Sequence, residues 1–468
     1  MLKGKISVIM FFIIGMVMTN KNIVANEVDP MQVTGTAAIL VERSTGRVIF
    51  EQNPDLVIYP ASMTKVLTAI VALDYIDEDD IVVVGTEINY VPAGSSRAGH
   101  ILGEHVTGLN LIRGLIMPSG NDTANIVAAH VAREHTGNEN LGFREAEAIF
   151  TDLMNQRAKE IGAVNSNFAN AHGFHDPNLY TTVRDLAKIA AVAMEHEAIM
   201  KVASEAVFTG NSGGGFVGEG VRTREIDWFT HNRLLAGPFY NTYVTGLKTG
   251  FTDQAGFCLI GTAERNGVEL ISVIAGSVNP ARWTDTTALF QYGFNNYSLR
   301  TVQHTIMSLG EIDLYNARWG DETSIQVFGD KNFIHFLTEE EMQRIERSVI
   351  YDTDKIMISE TEEDDAIIEL IAPLTAGQVI GRVTYNLDGE TLFTGNVIVT
   401  QDVYERTFSS NVTYVVNYLQ ANAVSIYGLS FMLLCISFGM MLHKVVTVLR
   451  NRSKKINRRR KNKIKYHL

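Results

Sequence analysis

The sequence predicts an α/β protein of the α+β type. An antiparallel sheet with a mostly helical subdomain is expected first, then a small β-rich domain, then a C-terminal transmembrane helix. Three observations predict it. Strand-like runs at 35–52 and 242–277 bracket a long region of helical periodicity. Near residue 300 the composition shifts to short strand-like pieces separated by turns such as Asp388-Gly389. Residues 421–442 carry no charge, and about twenty apolar residues suffice to cross a bilayer.

Taken in order, Lys3 and Lys5 precede an apolar run at 6–18, and small Ala25 follows. This reads as a signal peptide over 1–25, with an uncleaved anchor as the alternative. Residues 35–41 and 47–52 flank the turn Ser44-Thr45-Gly46, the pattern of a β-hairpin. Tyr59-Pro60 stops the chain, and a helix is expected from Ser62 to about Tyr75, with Val66, Ala69, Ile70 and Leu73 on one face. Helices are also expected over 107–116, 122–135, 146–162 and 183–196. The glycines at 213–215 lack a following Gly-Lys-Ser/Thr and read as a loop, not a phosphate cradle.

Residues 242–248 form a β-rich run ending at Lys248, just before Thr249-Gly250. Strands at 256–264 and 268–277 are joined by Arg265-Asn266-Gly267, a hairpin turn. An amphipathic segment at 281–295 closes a first domain over 26–300. A β-rich domain follows over 301–406, with an acidic loop at Glu362-Glu363-Asp364-Asp365. Residues 407–420 are a connector, 421–442 the span and 443–468 a basic tail.

Charge is distributed unevenly. Of the 40 basic residues, three precede Asn26 and eleven follow His443, whereas all 52 acidic residues lie between, leaving the body near −26. Such acidity argues against nucleic acid as a partner. The basic tail directly after an apolar span reads as a cytoplasmic stop-transfer flank. The expected topology is a body outside the cell membrane, held by one C-terminal span. Cys258 and Cys435 are the two cysteines, with the second inside the span, so no disulfide is expected. No Cys/His zinc spacing and no His-Glu-x-x-His motif occur, and neither metal nor cofactor is expected.

Three short motifs carry chemistry. Ser62-Met63-Thr64-Lys65 places a hydroxyl and an amine on one helix face. Ser119-Gly120-Asn121 adds a second hydroxyl and an amide. Lys248-Thr249-Gly250 adds a second amine, a third hydroxyl and a glycine beside which a substrate backbone has room. Ser-x-Asn alone is weak, because it recurs at Ser277 and Ser409, whereas Ser-x-x-Lys and Lys-Thr-Gly each occur once. Their order raises their weight. Serine is a poor nucleophile without a base, and Lys65 can serve only as a neutral amine. Burial and the second cation Lys248 would both lower its pKa. Ser119 would shuttle a proton, and Asn121 would orient Lys65, although an N-cap for the next helix is the competing role for Asn121. Lys248 and Thr249 suit a substrate carboxylate.

The segments Tyr59-Pro60-Ala61-Ser62-Met63-Thr64-Lys65, Pro118-Ser119-Gly120-Asn121-Asp122 and Gly246-Leu247-Lys248-Thr249-Gly250 resemble low-molecular-mass penicillin-binding proteins of the D-alanyl-D-alanine carboxypeptidase type. His172-Gly173 and His231-Asn232-Arg233-Leu234-Leu235 fit the resemblance too. It implies a β-lactamase/transpeptidase-like domain and cleavage of the terminal D-alanine from peptidoglycan stem peptides ending in D-Ala-D-Ala, with β-lactam antibiotics as inhibitors. It implies an oxyanion hole from the backbone N–H groups of Ser62 and Phe251. Some relatives carry an arginine where His231 stands here, so carboxylate recognition is expected to rest on Thr249, Lys248 or Arg233. A class A β-lactamase would need a glutamate for deacylation, and 165–185 contains none. A DD-endopeptidase or transpeptidase would use the same centre. A silent wall-binding scaffold would need none of Ser62, Lys65, Ser119 and Lys248.

Overall fold

A computed structural model describes residues 32–360 and 366–464, which form two compact units divided between Asn295 and Asn296. The expected signal peptide and the acidic loop at 362–365 lie outside the described residues.

In the first unit, β1 (Ala37–Glu42) and β2 (Val48–Gln52) form the expected hairpin. Glu42 shapes its turn: the buried carboxylate accepts bonds from the N–H and hydroxyl groups of both Ser44 and Thr45. The chain then leaves the sheet through a 3-10 turn, Ala61–Thr64, into α1 (Lys65–Leu73). Ser62 therefore sits in the 3-10 turn, and the α-helix begins three residues later than expected. Eight of the nine α1 residues are buried, which marks a central core helix and not a one-sided stripe.

The ribbon β3 (Ile81–Val83) and β4 (His105–Thr107) leads into α2 (Gly108–Ile116), α3 (Asn121–Thr136), α4 (Phe143–Ile161), α5 (Val183–Ala193) and α6 (Glu197–Ala203). A second ribbon pairs β5 (Val207–Asn211) with β6 (Glu225–Phe229). The chain returns as β7 (Val244–Thr252), β8 (Gly256–Arg265), β9 (Val268–Ser277) and α7 (Ala281–Asn296). The five strands form an antiparallel sheet in the order β2-β1-β9-β8-β7. Helix α5 packs on β1 and β9, and the central runs of β8 and β9 are buried without alternation, as strands covered on both faces require. β7 is an edge strand. Lys248 lies in its middle and not at its end, because pairing with β8 continues through Thr249–Leu259, Gly250–Cys258 and Phe251–Phe257.

In the second unit, β10 (Ser298–Gln303) pairs with β13 (Phe333–Leu337). The remaining strands are β11 (Ser308–Tyr315), β12 (Ser324–Gly329), β14 (Glu346–Tyr351), β15 (Ile356–Glu360), β16 (Ala366–Ile371), β17 (Val379–Leu387) and β18 (Glu390–Val399). They build a seven-stranded sheet in the order β14-β17-β18-β12-β11-β16-β15 over its own core of Val327, Leu370, Ile380, Val397 and Val399. A short α8 (Glu339–Arg344) follows β13.

The expected connector is helical: α9 (Phe408–Ala421) starts at Thr407 with a capping box closed by Ser410, which satisfies two otherwise orphaned donors. α10 (Ala423–Ile464) follows, and its segment Ser430–Lys455 is long and apolar enough to cross a membrane.

Candidate active site

The 3-10 turn presents half-buried Ser62. Ala61 before it adopts φ +48°, and Gly173 (φ +82°) closes against it so tightly that a Cβ there would lie 1.9 Å from the Ala61 carbonyl oxygen. Only glycine fits that contact. It brings the neighbouring His172 carbonyl over the start of α1.

Lys65 is fully buried one turn after Ser62. Its Nζ lies 2.7 Å from Asn121 Oδ1, 2.6 Å from the His172 carbonyl oxygen and 3.1 Å from Ser62 Oγ. A neutral amine has two N–H groups and one lone pair. The two shorter contacts take the N–H groups, since those oxygens can only accept, and the lone pair is left for the Ser62 hydroxyl. Burial first, and the Lys248 charge second, hold Lys65 well below the ordinary lysine value, with Asp122 opposing.

Asn121 is the first residue of α3, and the cap position belongs to Gly120, without a side-chain cap. The N-cap role considered for Asn121 is therefore absent, and its Oδ1 is committed to Lys65. Its NH₂ remains to donate into the cavity. Ser119, buried, has φ +60°, a conformation that costs a non-glycine residue about 1–3 kcal/mol and persists only where its surroundings enforce it. They do so here: Gly120 N–H donates to Gly114 O at 2.7 Å and Asn121 N–H to Ser96 O at 2.9 Å.

The Lys-Thr-Gly segment divides into a wall and a backing. Thr249, Gly250 and Phe251 line the cavity. Lys248 is 1% exposed and points behind that wall, with Nζ 3.1 Å from the Thr249 carbonyl oxygen. Burial, then Arg282, lower its pKa to about 7. The expected direct grip of Lys248 on a carboxylate is thus not what this placement offers; its reach is electrostatic, through Lys65 and the cavity wall. Gly250 also differs from expectation. A Cβ there would meet Pro60 O at 3.1 Å and Ala61 Cβ at 3.2 Å, so its small size serves the approach of β7 to the Ser62 turn.

The cavity holds about 700 Å³ and opens over Ser62, Ser119 and Asn121, with Thr249, Arg233 and Arg282 on its walls. Arg282, at the start of α7, was not singled out from the sequence. It donates to Gly250 O at 3.2 Å and Cys258 O at 3.4 Å and lies over the Phe257 and Trp283 rings. Burial lowers its pKa only to about 10, so it stays cationic at neutral pH. His231 keeps an exposed edge, but partial desolvation and then the Lys248 charge lower its pKa to about 4. His172 is pushed to about 3 by burial and Lys65, and its Nδ1 accepts the Phe174 N–H at 3.0 Å; it holds backbone in place. Asp122 was also missed. Its buried carboxylate accepts the N–H groups of Ala98, Gly99 and His100 at 2.8–3.1 Å, fixing the loop that carries Ser96. An acid in the first turn of a helix was the available signal.

Fold and site together define the class, a serine hydrolase built on a Ser-x-x-Lys centre. Residues 23–279 match the D-alanyl-D-alanine carboxypeptidase family of peptidases, and the chain belongs to that family. Residues 308–405 match the C-terminal domain of penicillin-binding protein 5. D-alanyl-D-alanine carboxypeptidase DacA of Haemophilus influenzae is 32% identical over 390 residues, covering 81% of this chain and 87% of that protein. DacF of Bacillus subtilis is 26% identical over 377 residues, covering 80% and 86%. Among solved structures, penicillin-binding protein 5 of Haemophilus influenzae superposes with a TM-score of 0.59 at 30% identity, covering 81% of this chain and all of that one. A serine-to-alanine mutant of the Streptomyces K15 DD-transpeptidase gives 0.51 at 28%, covering 57% and 99%.

Proposed function

We propose that this chain removes the terminal D-alanine from peptidoglycan stem peptides through an acyl-enzyme on Ser62. The observation that carries this reading is the Lys65 amine, 3.1 Å from Ser62 Oγ with its other contacts taken by oxygens that can only accept. Lys65 takes the hydroxyl proton as Oγ attacks the penultimate D-alanine carbonyl. The backbone N–H groups of Ser62 and Phe251 are the proposed oxyanion donors. Protonation of the departing amine runs from Lys65 through Ser119, and water then releases the shortened peptide.

The substrate adds as an extended strand along the open edge of β7, with its carboxylate toward Thr249, Arg282 and Arg233 and an amide held by Asn121. A fluorescent-penicillin labelling gel, paired with an assay of D-alanine release from a D-Ala-D-Ala peptide, tests the reading; a protein that neither labels nor releases D-alanine overturns it.

Penicillin is expected to be turned over slowly. Deacylation requires an activated water, and the segment 165–185 offers no glutamate. The one carboxylate on the cavity wall, Asp253, is exposed on the β7–β8 turn, where it would be solvated. Rapid hydrolysis of penicillin with full recovery of free enzyme would favour a β-lactamase instead.

The same reading places the body outside the cell membrane, held by the apolar part of α10, with the basic tail inside. A chain ending at Arg406, which lacks α9 and α10, is expected to be soluble and to keep its carboxypeptidase activity. Lost activity in a folded truncated protein would show that the helices contribute to the site.

A further inference from the structure

Behind the Ser119 loop lies a buried polar cluster that the mechanism above leaves unused. His100 and Glu104 sit on the segment ahead of β4, and Thr123 in the first turn of α3; all three are buried, and none lines the cavity. Glu104 accepts the Ile101 N–H at 2.9 Å, with the same oxygen 3.3 Å from His100 Nδ1 and the other 3.0 Å from Arg224 Nε. Burial alone would raise the Glu104 pKa, but His100, the Ile101 N–H and Arg224 outweigh it and hold the carboxyl below its usual value. An ionised carboxylate can only accept, so His100 Nδ1 carries a proton. The far side of the ring, Nε2, lies 3.1 Å from Thr123 Oγ1. Carboxylate, imidazole and hydroxyl thus stand in series, the order by which hydrolase triads orient a ring.

The end of this series touches the turn that carries Ser119. A Cβ on Gly120 would lie 2.6 Å from Thr123 Oγ1, and one on Gly114 2.5 Å, so the hydroxyl fills the space against both glycines. The two are joined by the 2.7 Å bond from Gly120 N–H to Gly114 O, one residue from the strained Ser119. The backbone bearing His100 is itself fixed. Asp122 takes the N–H groups of Ala98, Gly99 and His100, and the Ala98 carbonyl accepts from Arg224 and from the Trp228 indole, each at 3.0 Å. A close-packed interior passes such a restraint on from neighbour to neighbour.

We infer that His100 is a positioning residue: through Thr123, Gly114 and Gly120 it keeps Ser119 in the conformation that passes a proton to the departing amine. The inference rests on the carboxypeptidase reading above and extends its proton path to residues outside the cavity.

The experiment separates proton delivery from everything else the site does. With the full-length protein, kcat/KM is measured on Nα,Nε-diacetyl-L-lysyl-D-alanyl-D-alanine and on the matching thioester, in which sulfur replaces the last amide nitrogen. A departing amine must take up a proton, which a positioned acid supplies; a thiolate leaves without one. T123A is expected to lower kcat/KM about tenfold on the amide and less than about twofold on the thioester. T123S, which keeps the hydroxyl, should restore the amide rate. H100N can still donate to Glu104 but does not reach Thr123, and it should show the same selective loss. Equal losses on both substrates would mark a merely structural role and overturn the inference. An unchanged amide rate in T123A would overturn it too. Should H100N fail to fold, T123A and T123S decide, since neither adds bulk nor unpairs Glu104. A wild type that turns over the thioester but releases no D-alanine from the amide would remove the carboxypeptidase reading, and this inference with it.

Discussion

Replacing Ser62 with alanine is expected to abolish both penicillin labelling and D-alanine release while leaving the fold in place. In wild type, peptide mapping after penicillin treatment should place the adduct on the peptide containing Ser62. Ser62 is half-buried in a 3-10 turn, and losing one such hydroxyl typically alters stability by under about 1 kcal/mol. Thermal melting should therefore be nearly unchanged as activity disappears. An adduct on Ser119 would reverse the roles of the two serines. Ser119 is an informative competitor, because its strained backbone also marks it as a residue held for chemistry.

The second large effect is expected at Lys65. Arginine preserves the charge but does not deprotonate in proteins. If Lys65 merely stabilised negative charge, Lys65→Arg would keep much of the activity. As the general base, its loss should slow acylation about 10²- to 10⁴-fold, with circular dichroism confirming that the buried substitution is tolerated. In wild type, acylation should rise with pH as the amine loses its proton, at an apparent pKa well below that of free lysine. That value belongs to the coupled lysines and not to either alone. Lys248→Gln removes a positive charge that disfavours protonated Lys65, so the Lys65 pKa should rise and the profile move to higher pH. An unmoved profile would show that the two lysines are uncoupled and would remove the electrostatic part of this mechanism.

The motifs were legible because acyl transfer needs particular residue types: one activated hydroxyl, one amine that can be neutral, and donors for an anion. The sequence order also exposed the sheet and the helical insertion, since apolar runs and helical periodicity survive without tertiary context. What stayed hidden depends on partners brought from afar. Arg282 gains meaning only when the sheet sets α7 behind Gly250, and Asp122 only when the 98–100 backbone arrives at its carboxylate. Lys248 was read as the end of a strand, yet pairing with β8 carries β7 on to Thr252. Gly250 was read as room for substrate, but what it adjoins is the chain's own turn at Pro60–Ala61. The 407–420 segment was read as a connector although Val412, Val415, Val416 and Leu419 recur at helical spacing; its Thr407–Ser410 cap, a local feature, starts the helix.

β7 closes one side of the five-stranded sheet, with no further strand paired to its outer side among the described residues. For most folds such a border is a hazard, because any extended segment can attach to it. This one is narrowed by the Ser62 turn on one flank and by Arg233 and Arg282 near its mouth, so the guest most welcome is a short chain ending in a free carboxylate. On the binding mode proposed above, the unfinished border would act as a filter, because interior stretches of polypeptide have no terminal charge to offer Arg233 and Arg282.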